Sequence, residues 1–254
     1  MKKLTYLFSV LFTFLLTCGA LAQTMNAEAV QPFNDGLTKI QKGDYKGALA
    51  DFENALKFDK DYRIYYQIGV AQENLNNNTE AIAAFKNTIK VNPEFDAVYN
   101  DLGNVYYKTG NYQEAINNFQ KVIEISKDTT LKNTVKFNIA LSYFNLGTAA
   151  EKAKNNKKAI GYYEEAIKYD NYDVAYLYLA KDYFVLNQYD KAIQAGENAL
   201  KYKKDISEGG PNYYIGVAYS KKNDLKKAKE YLMKAKSDPV YGKFAQTVLD
   251  AINK

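Results

Sequence analysis

The sequence has no histidine, one cysteine (Cys18) and one arginine (Arg63). Without histidine it lacks the commonest general base and the commonest metal ligand. Composition therefore excludes serine–histidine and cysteine–histidine nucleophiles and argues against a zinc centre. A lone cysteine permits no disulfide within the chain, so stability has to come from packing. A lone arginine leaves almost none of the bidentate forks that read phosphates and base edges, which argues against nucleic acid as a ligand. Proline is also scarce, with 4 in 254 residues, and apolar and charged residues make up 47% and 25% of the chain. Those fractions are ordinary for a folded globular protein and not for a disordered one.

What is present begins with a distinct first segment. Lys2 and Lys3 precede a mainly apolar stretch from Leu4 to Leu16, and Ala20-Leu21-Ala22 precedes Gln23. A basic start, a short apolar stretch and small residues at the A-x-A positions predict a secretory signal peptide over residues 1–22, cleaved after Ala22, and an exported chain of the periplasm or cell envelope. A competing reading uses Leu15-Leu16-Thr17-Cys18, which loosely resembles a lipoprotein signal with Cys18 as the lipidated residue, although threonine before that cysteine is unusual. The apolar stretch is too short for a membrane anchor of about 20 residues. Removing Lys2 and Lys3 from the 34 basic residues leaves 32 against 29 acidic ones, a net charge near +3 that demands no acidic partner.

Self-similarity dominates the rest. GDYKGALADFENAL, NNTEAIAAFKNTI, GNYQEAINNFQKVI, NNKKAIGYYEEAI, NQYDKAIQAGENAL and NDLKKAKEYLMKA recur, aligned on Ala48, Ala81, Ala115, Ala159, Ala192 and Ala228. The alanines are 33, 34, 44, 33 and 36 residues apart, so one interval carries extra residues. Before each alanine stands a second apolar pattern: Tyr65-x-x-Ile68-Gly69, Tyr99-x-x-Leu102-Gly103-x-x-Tyr106, Tyr176-x-x-Leu179-Ala180-x-x-Tyr183 and Ile215-Gly216-x-x-Tyr219. Steps of three and four residues put an apolar stripe on one helix face, so each unit reads as two amphipathic helices. Breaks are expected at Gly43-Asp44, Asn76-Asn77-Asn78, Gly110-Asn111, Asn187-Gln188 and Asn223-Asp224, where glycine or asparagine accepts the left-handed conformation. Pro32 and Pro211 are read as opening first helices, and Pro93 and Pro239 as lying just past second ones.

This pattern resembles the tetratricopeptide repeat, and Tyr99 to Ile123 match it at nearly every position. The resemblance implies an all-α, right-handed superhelical solenoid of six repeats over 23–239, at about 29–61, 62–95, 96–128, 129–172, 173–206 and 207–239. A capping helix is expected over 240–254 from the spacing of Phe244, Val248, Leu249 and Ile252. Asp35, Gly196 and Asn212 stand where the family has large apolar residues, so units one, five and six are expected to pack more loosely. In unit four the first-helix pattern is read as Phe137-x-x-Ala140-Leu141-x-x-Phe144, so that 145–154 becomes an insertion lengthening that helix by nearly three turns.

In this family the first helices line the concave face. Projected here, that groove holds Tyr66, Glu73, Asn100, Asn104, Tyr107, Asn138, Lys181, Phe184, Tyr213 and Ser220. Asparagine amides donate and accept together, so a row of them can hold the backbone of an extended peptide, and tyrosines add flat contact area. The bland reading is that the asparagines are solvated and the tyrosines merely join repeats. A clamp for a terminal carboxylate is missing, since the matching sites read Phe33, Leu37, Gln67, Ala97 and Asp101. The lysine runs at 152–158 and 221–229 read as solvated faces. Paired carboxylates such as Glu164 and Glu165 have no companions that would make them catalytic. The expected function is a non-enzymatic adaptor for a protein or peptide partner, without cofactor or metal; glycan binding by exposed tyrosines is the alternative. Mass spectrometry of the protein recovered from its producing cells is expected to place Gln23 first, and a lipid on Cys18 would establish the competing reading.

Overall fold

The structure, a computed structural model, describes residues 25–253. The signal-peptide segment, Cys18 and the Ala22–Gln23 junction lie outside the described residues. Among those described there are thirteen α-helices and no strand: α1 (Ala27–Gln41), α2 (Tyr45–Ala55), α3 (Tyr62–Asn74), α4 (Asn78–Val91), α5 (Asp96–Lys108), α6 (Tyr112–Ile125), α7 (Thr129–Lys152), α8 (Asn156–Tyr169), α9 (Asp173–Val185), α10 (Tyr189–Lys201), α11 (Gly209–Lys221), α12 (Leu225–Ala235) and α13 (Gly242–Ile252). Consecutive helices pair, each pair packs on the next, and α13 covers the last. The chain is an all-α solenoid of helix pairs closed by a capping helix.

The turns within the pairs are built by one device. Gly43, Asn76, Gly110, Lys154, Asn187 and Asn223 all have φ between 59° and 80°. Glycine and asparagine tolerate this left-handed conformation; Lys154 does so at a cost of roughly 1 kcal/mol. The side chains of Asp44, Asn155 and Asp224 then accept from the backbone N–H of Gly47, Lys158 and Lys227, capping the second helices.

Within a pair, closeness depends on a residue with no side chain. Gly36, Gly69, Gly103 and Gly147 on first helices face Phe52, Phe85, Phe119 and Tyr163 on second helices, always sixteen residues ahead. A Cβ on Gly36 would sit 2.5 Å from the Phe52 ring and one on Gly103 2.6 Å from the Phe119 ring. The four rings are fully buried, as are Ala48, Ala81, Ala115 and Ala159 beneath them. Each ring thus fills the space that its glycine leaves open.

That pairing corrects the register of α7. Gly147 takes the place of Gly103, so the first-helix pattern of unit four is Tyr143-x-x-Leu146-Gly147-x-x-Ala150, and not the one centred on Ala140. The extra residues therefore precede the repeat rather than occupying 145–154. They are the first turns of α7, whose Val135 and Ile139 are fully buried in one cluster with Val122 of α6. These turns are packed and do not protrude. Pro32 likewise does not open its helix: α1 begins at Ala27, with Asn26 as its cap.

Unit five inverts the pairing. Ala180 stands on the first helix and Gly196 on the second, and the space is taken by Ile215 of the next unit, 2.6 Å from where a Gly196 Cβ would lie. Gly196 therefore leaves no void, although a cleft of about 300 Å³ opens beside Ala195, rimmed by Glu164, Lys191, Gln194 and Asn198. Asp35 is exposed, and Asn212 is buried with its Nδ2 donating to the Glu208 carbonyl at 2.8 Å. Long links are tied down by polar groups: Asp173 Oδ2 accepts from the backbone N–H of Lys204, Asp205 and Ile206 at 2.6, 2.7 and 3.2 Å. At the end, α13 buries Ala245 and Leu249 against Val217, Leu232 and Ala235, whereas Phe244 is 56% exposed and not part of the buried stripe.

Two glycines separate close approach from mere flexibility. Gly103→Ala is expected to overpack the pair and lower stability by about 1–3 kcal/mol. Gly161→Ala, in the middle of α8 with nothing within 4 Å of its added Cβ, should raise stability by roughly 0.5–1 kcal/mol. Urea unfolding of both variants checks the pair of signs.

Candidate functional site

The register set by the glycines determines which side chains share the surface of the first helices. Three residues before each glycine come Phe33, Tyr66, Asn100 and Phe144; four after come Ile40, Glu73, Tyr107 and Glu151. Counting from Ala180 and Gly216 in the same way gives Leu177 and Tyr213, then Phe184 and Ser220, while Lys181 follows Ala180 as Asn104 follows Gly103. Tyr66, Asn100, Asn104, Tyr107, Lys181 and Tyr213 therefore occupy equivalent or neighbouring rows. Asn138 does not. It lies in the added turns of α7, nine residues ahead of Gly147, and its carbonyl accepts from Ser142 Oγ at 2.8 Å. The asparagine row is thus Asn100 and Asn104 alone.

Several of these side chains join one repeat to the next. Tyr66 Oη donates to Asp101 Oδ2 at 2.7 Å, and Asn100 Nδ2 donates to Asp101 Oδ1 at 3.1 Å. Tyr66 also meets the Phe95 ring edge-on at 4.9 Å. Burial pushes the Asp101 carboxyl up, and the two donors oppose that rise. Glu73 is raised by burial and then by Asp101, with Lys108 opposing. Farther along, Asn145 Nδ2 donates to Tyr107 Oη at 3.0 Å. Tyr213 packs against the rings of Tyr214, Tyr241 and Phe244 at 5.2, 5.6 and 6.2 Å. Asn104 is half-buried and has no hydrogen bond within the described residues, so its amide is free to donate and accept.

Between α7 and α9 this surface opens into a cleft of about 400 Å³, lined by Phe144, Asn145, Thr148, Glu151, Lys152, Tyr178 and Lys181. The Phe144 and Tyr178 rings meet edge to face at 5.1 Å. Glu151 is the hub: it pairs with the Lys181 ammonium and accepts from Tyr163 Oη at 3.1 Å. The Lys181 Nζ also lies 5.1 Å from the centre of the Tyr178 ring. Burial works against the Lys181 charge, but Glu151 holds its pKa above the usual lysine value. Next to Lys181, Asp182 is fully buried, with Oδ1 accepting from Asn156 Nδ2 at 2.9 Å and Oδ2 without any partner. Burial, reinforced by the Glu151 charge, pushes its carboxyl up to about 6.

Of this cleft, sequence reasoning found only Lys181. Centring unit four on Ala140 hid Phe144, Thr148 and Glu151. The signal that recovers them is the constant twelve-residue step from glycine to alanine, kept by Gly147 and Ala159 as by Gly103 and Ala115. Among the described residues no group of three or more acidic or cysteine side chains is placed to hold a metal ion.

Comparison with known proteins gives matches of one kind. Tetratricopeptide-repeat family models match residues 94–171, 34–86 and 212–237, and a TPR repeat model matches 74–110. The C-terminal part of a TPR repeat-containing protein from Cytophaga hutchinsonii is 18% identical, with 85% of each chain covered and a TM-score of 0.55, a likeness of fold. YrrB, described as a TPR protein with an unusual peptide-binding site, is 21% identical over 77% of this chain and 97% of its own, at a TM-score of 0.47. A MamA protein is 28% identical over 68% of this chain and 89% of its own, at 0.44. No curated protein matches.

The buried carboxyl generates a pH prediction. A free aspartate titrates near 3.9 and Asp182 near 6, so the folded state holds its proton more tightly than the unfolded state does. Ionised Asp182 therefore opposes folding above about pH 6, by about 1–3 kcal/mol, and that opposition fades as pH falls toward about 4. Asp182→Asn should melt higher than the parent near neutral pH, with the gap closing by about pH 4.5. Thermal melts of both proteins across that range provide the check.

Proposed function

From the premise that the chain is a tetratricopeptide-repeat protein, we propose that it is an exported adaptor that holds an extended segment of a partner protein along the surface of its first helices. Repeats of this kind serve generally as protein-interaction scaffolds, and the groove adds the detail. One observation carries the reading: Asn104, half-buried between Asn100 and Tyr107, keeps an amide that nothing else engages. Such a group can accept from one backbone N–H and donate to the next carbonyl of an extended chain. Tyr66, Tyr107 and Lys181 bond across repeats and so keep the surface preformed, which lowers the ordering cost of binding.

The role is read as binding and not catalysis, since Asp101 and Glu151 are each already engaged across a joint, by Tyr66 and by Lys181. The same engagement favours a peptide over a sugar: Tyr66 and Tyr213 already pack edge-on or tilted against neighbouring rings, and both are partly buried. Nucleic acid is disfavoured by the single arginine. The compartment is proposed to be the periplasm or cell envelope, on the strength of residues 1–22. Among the described residues no helix is long and apolar enough to cross a membrane.

The partner should be recoverable by pull-down from solubilised envelope followed by mass spectrometry. Asn104→Ala is expected to weaken its binding by about 0.5–1.5 kcal/mol without changing the thermal melt, and Asn138→Ala should leave it unchanged. Calorimetry on both variants measures the difference; equal affinities would remove the groove from the mechanism.

A further inference from the structure

We propose that the cleft between α7 and α9 receives a lysine or arginine side chain of the segment lying in the groove, with Glu151 as its counter-ion and the Phe144 and Tyr178 rings as its walls. This deepens the groove reading and rests on it.

The chemistry of the cleft is that of a site for a cation, and the chain itself shows it. The Lys181 ammonium already lies over the Tyr178 ring and pairs with Glu151. Ring faces carry negative electrostatic potential, so an ammonium or guanidinium is favoured there, more strongly where water is excluded. Glu151 is only 18% exposed, yet the space before it amounts to about 400 Å³, ample for an extended basic side chain.

The local balance of charge is incomplete. Glu151 in the cleft wall, and Asp182, buried outside that wall but within electrostatic reach of Glu151 and Lys181, make two carboxylates to the one engaged cation, Lys181. The other groups near them are uncharged: Asn156, Tyr163 and Tyr178, and Tyr214, which feels both carboxylates and whose hydroxyl burial keeps protonated. Lys152 is exposed at the mouth and makes no ion pair there. Asp182 Oδ2 is buried with no donor at all. A buried carboxylate oxygen without a donor carries its full desolvation penalty, which a second cation nearby reduces. An anionic ligand would meet Glu151 with repulsion instead.

Lysine and arginine share this chemistry, and arginine adds a planar face for the rings and two parallel donors for Glu151. Occupation of the cleft favours ionised Asp182, so binding is expected to weaken as pH falls through the range in which that group takes up its proton.

The test is a titration of the whole mature chain, followed by amide NMR, with short acetylated and amidated peptides that differ only in a central arginine, citrulline or glutamate. The arginine peptide is expected to shift resonances of residues 144–152 and 178–182 and to bind at least about tenfold more tightly than citrulline, with glutamate weakest. Glu151→Gln should remove that preference. Because Glu151→Gln also frees Lys181, Phe144→Leu serves as a second variant, and it should weaken arginine binding while leaving the far end of the groove unchanged. Equal binding of arginine and citrulline, tighter binding of glutamate, or an arginine preference that survives Glu151→Gln would overturn the proposal. With the natural partner in hand, loss of binding in Asn104→Ala but not in Glu151→Gln would overturn this inference alone. Indifference to both would overturn the groove reading as well.

Discussion

The whole architecture depends on how near two helices can come when one of them has no side chain at the point of contact. At Gly36, Gly69, Gly103 and Gly147 the backbone of a first helix lies against an aromatic ring of its second helix, in space that even a methyl group would occupy. That distance sets the angle of each pair, the angle sets how the next pair stacks, and the stack sets which side chains reach the inner surface. Dense packing follows from the same fact, since the ring occupies the volume left by the absent Cβ. Unit five reaches that density by another route, with the small residue on the second helix and the large one, Ile215, supplied by its neighbour.

Much of this was legible in the sequence because packing at fixed distance forces residue types at fixed spacing. The recurring alanine located every second helix, four of them with an aromatic four residues on, and five of the six left-handed turns were marked by glycine or asparagine. The sixth, Lys154, carried no such mark, although it stands at the end of the stretch read as lengthening the first helix, just before the NNKKAI segment. Unit four was misplaced because Phe137, Ala140 and Phe144 imitate the first-helix pattern on an α-helix that is itself continuous through both registers. A three- or four-residue period cannot tell one apolar face from another along the same helix; the pivot is marked instead by the twelve-residue step from Gly147 to Ala159, which the contact with Tyr163 explains. Pro32 misled in a similar way, since a proline at the sixth residue of α1 looks locally like one at its start.

The site was less legible than the fold for a reason of the same kind. A groove residue is recognised by its row, and the row depends on register, so one misplaced repeat removed Phe144 and Glu151 and admitted Asn138. Nor can sequence spacing tell which polar groups are free. Tyr66, Asn100, Tyr107 and Asn145 form hydrogen bonds along the groove, whereas Asn104, of the same type and a single turn from Asn100, keeps its amide open. Polar residues on such a surface thus divide into those that build it and those left to a ligand.

The two kinds of contact also differ in where they act. The glycine–ring contact lies inside a pair, whereas the apolar clusters run on across the joints between pairs, where Asp101, Glu151 and the Asp173 carboxylate add polar ties. Each joint is thus packed by the residues of both its neighbours. A change made at one ring is therefore felt by the pair on either side of it, as a missing brick is felt by the courses above and below.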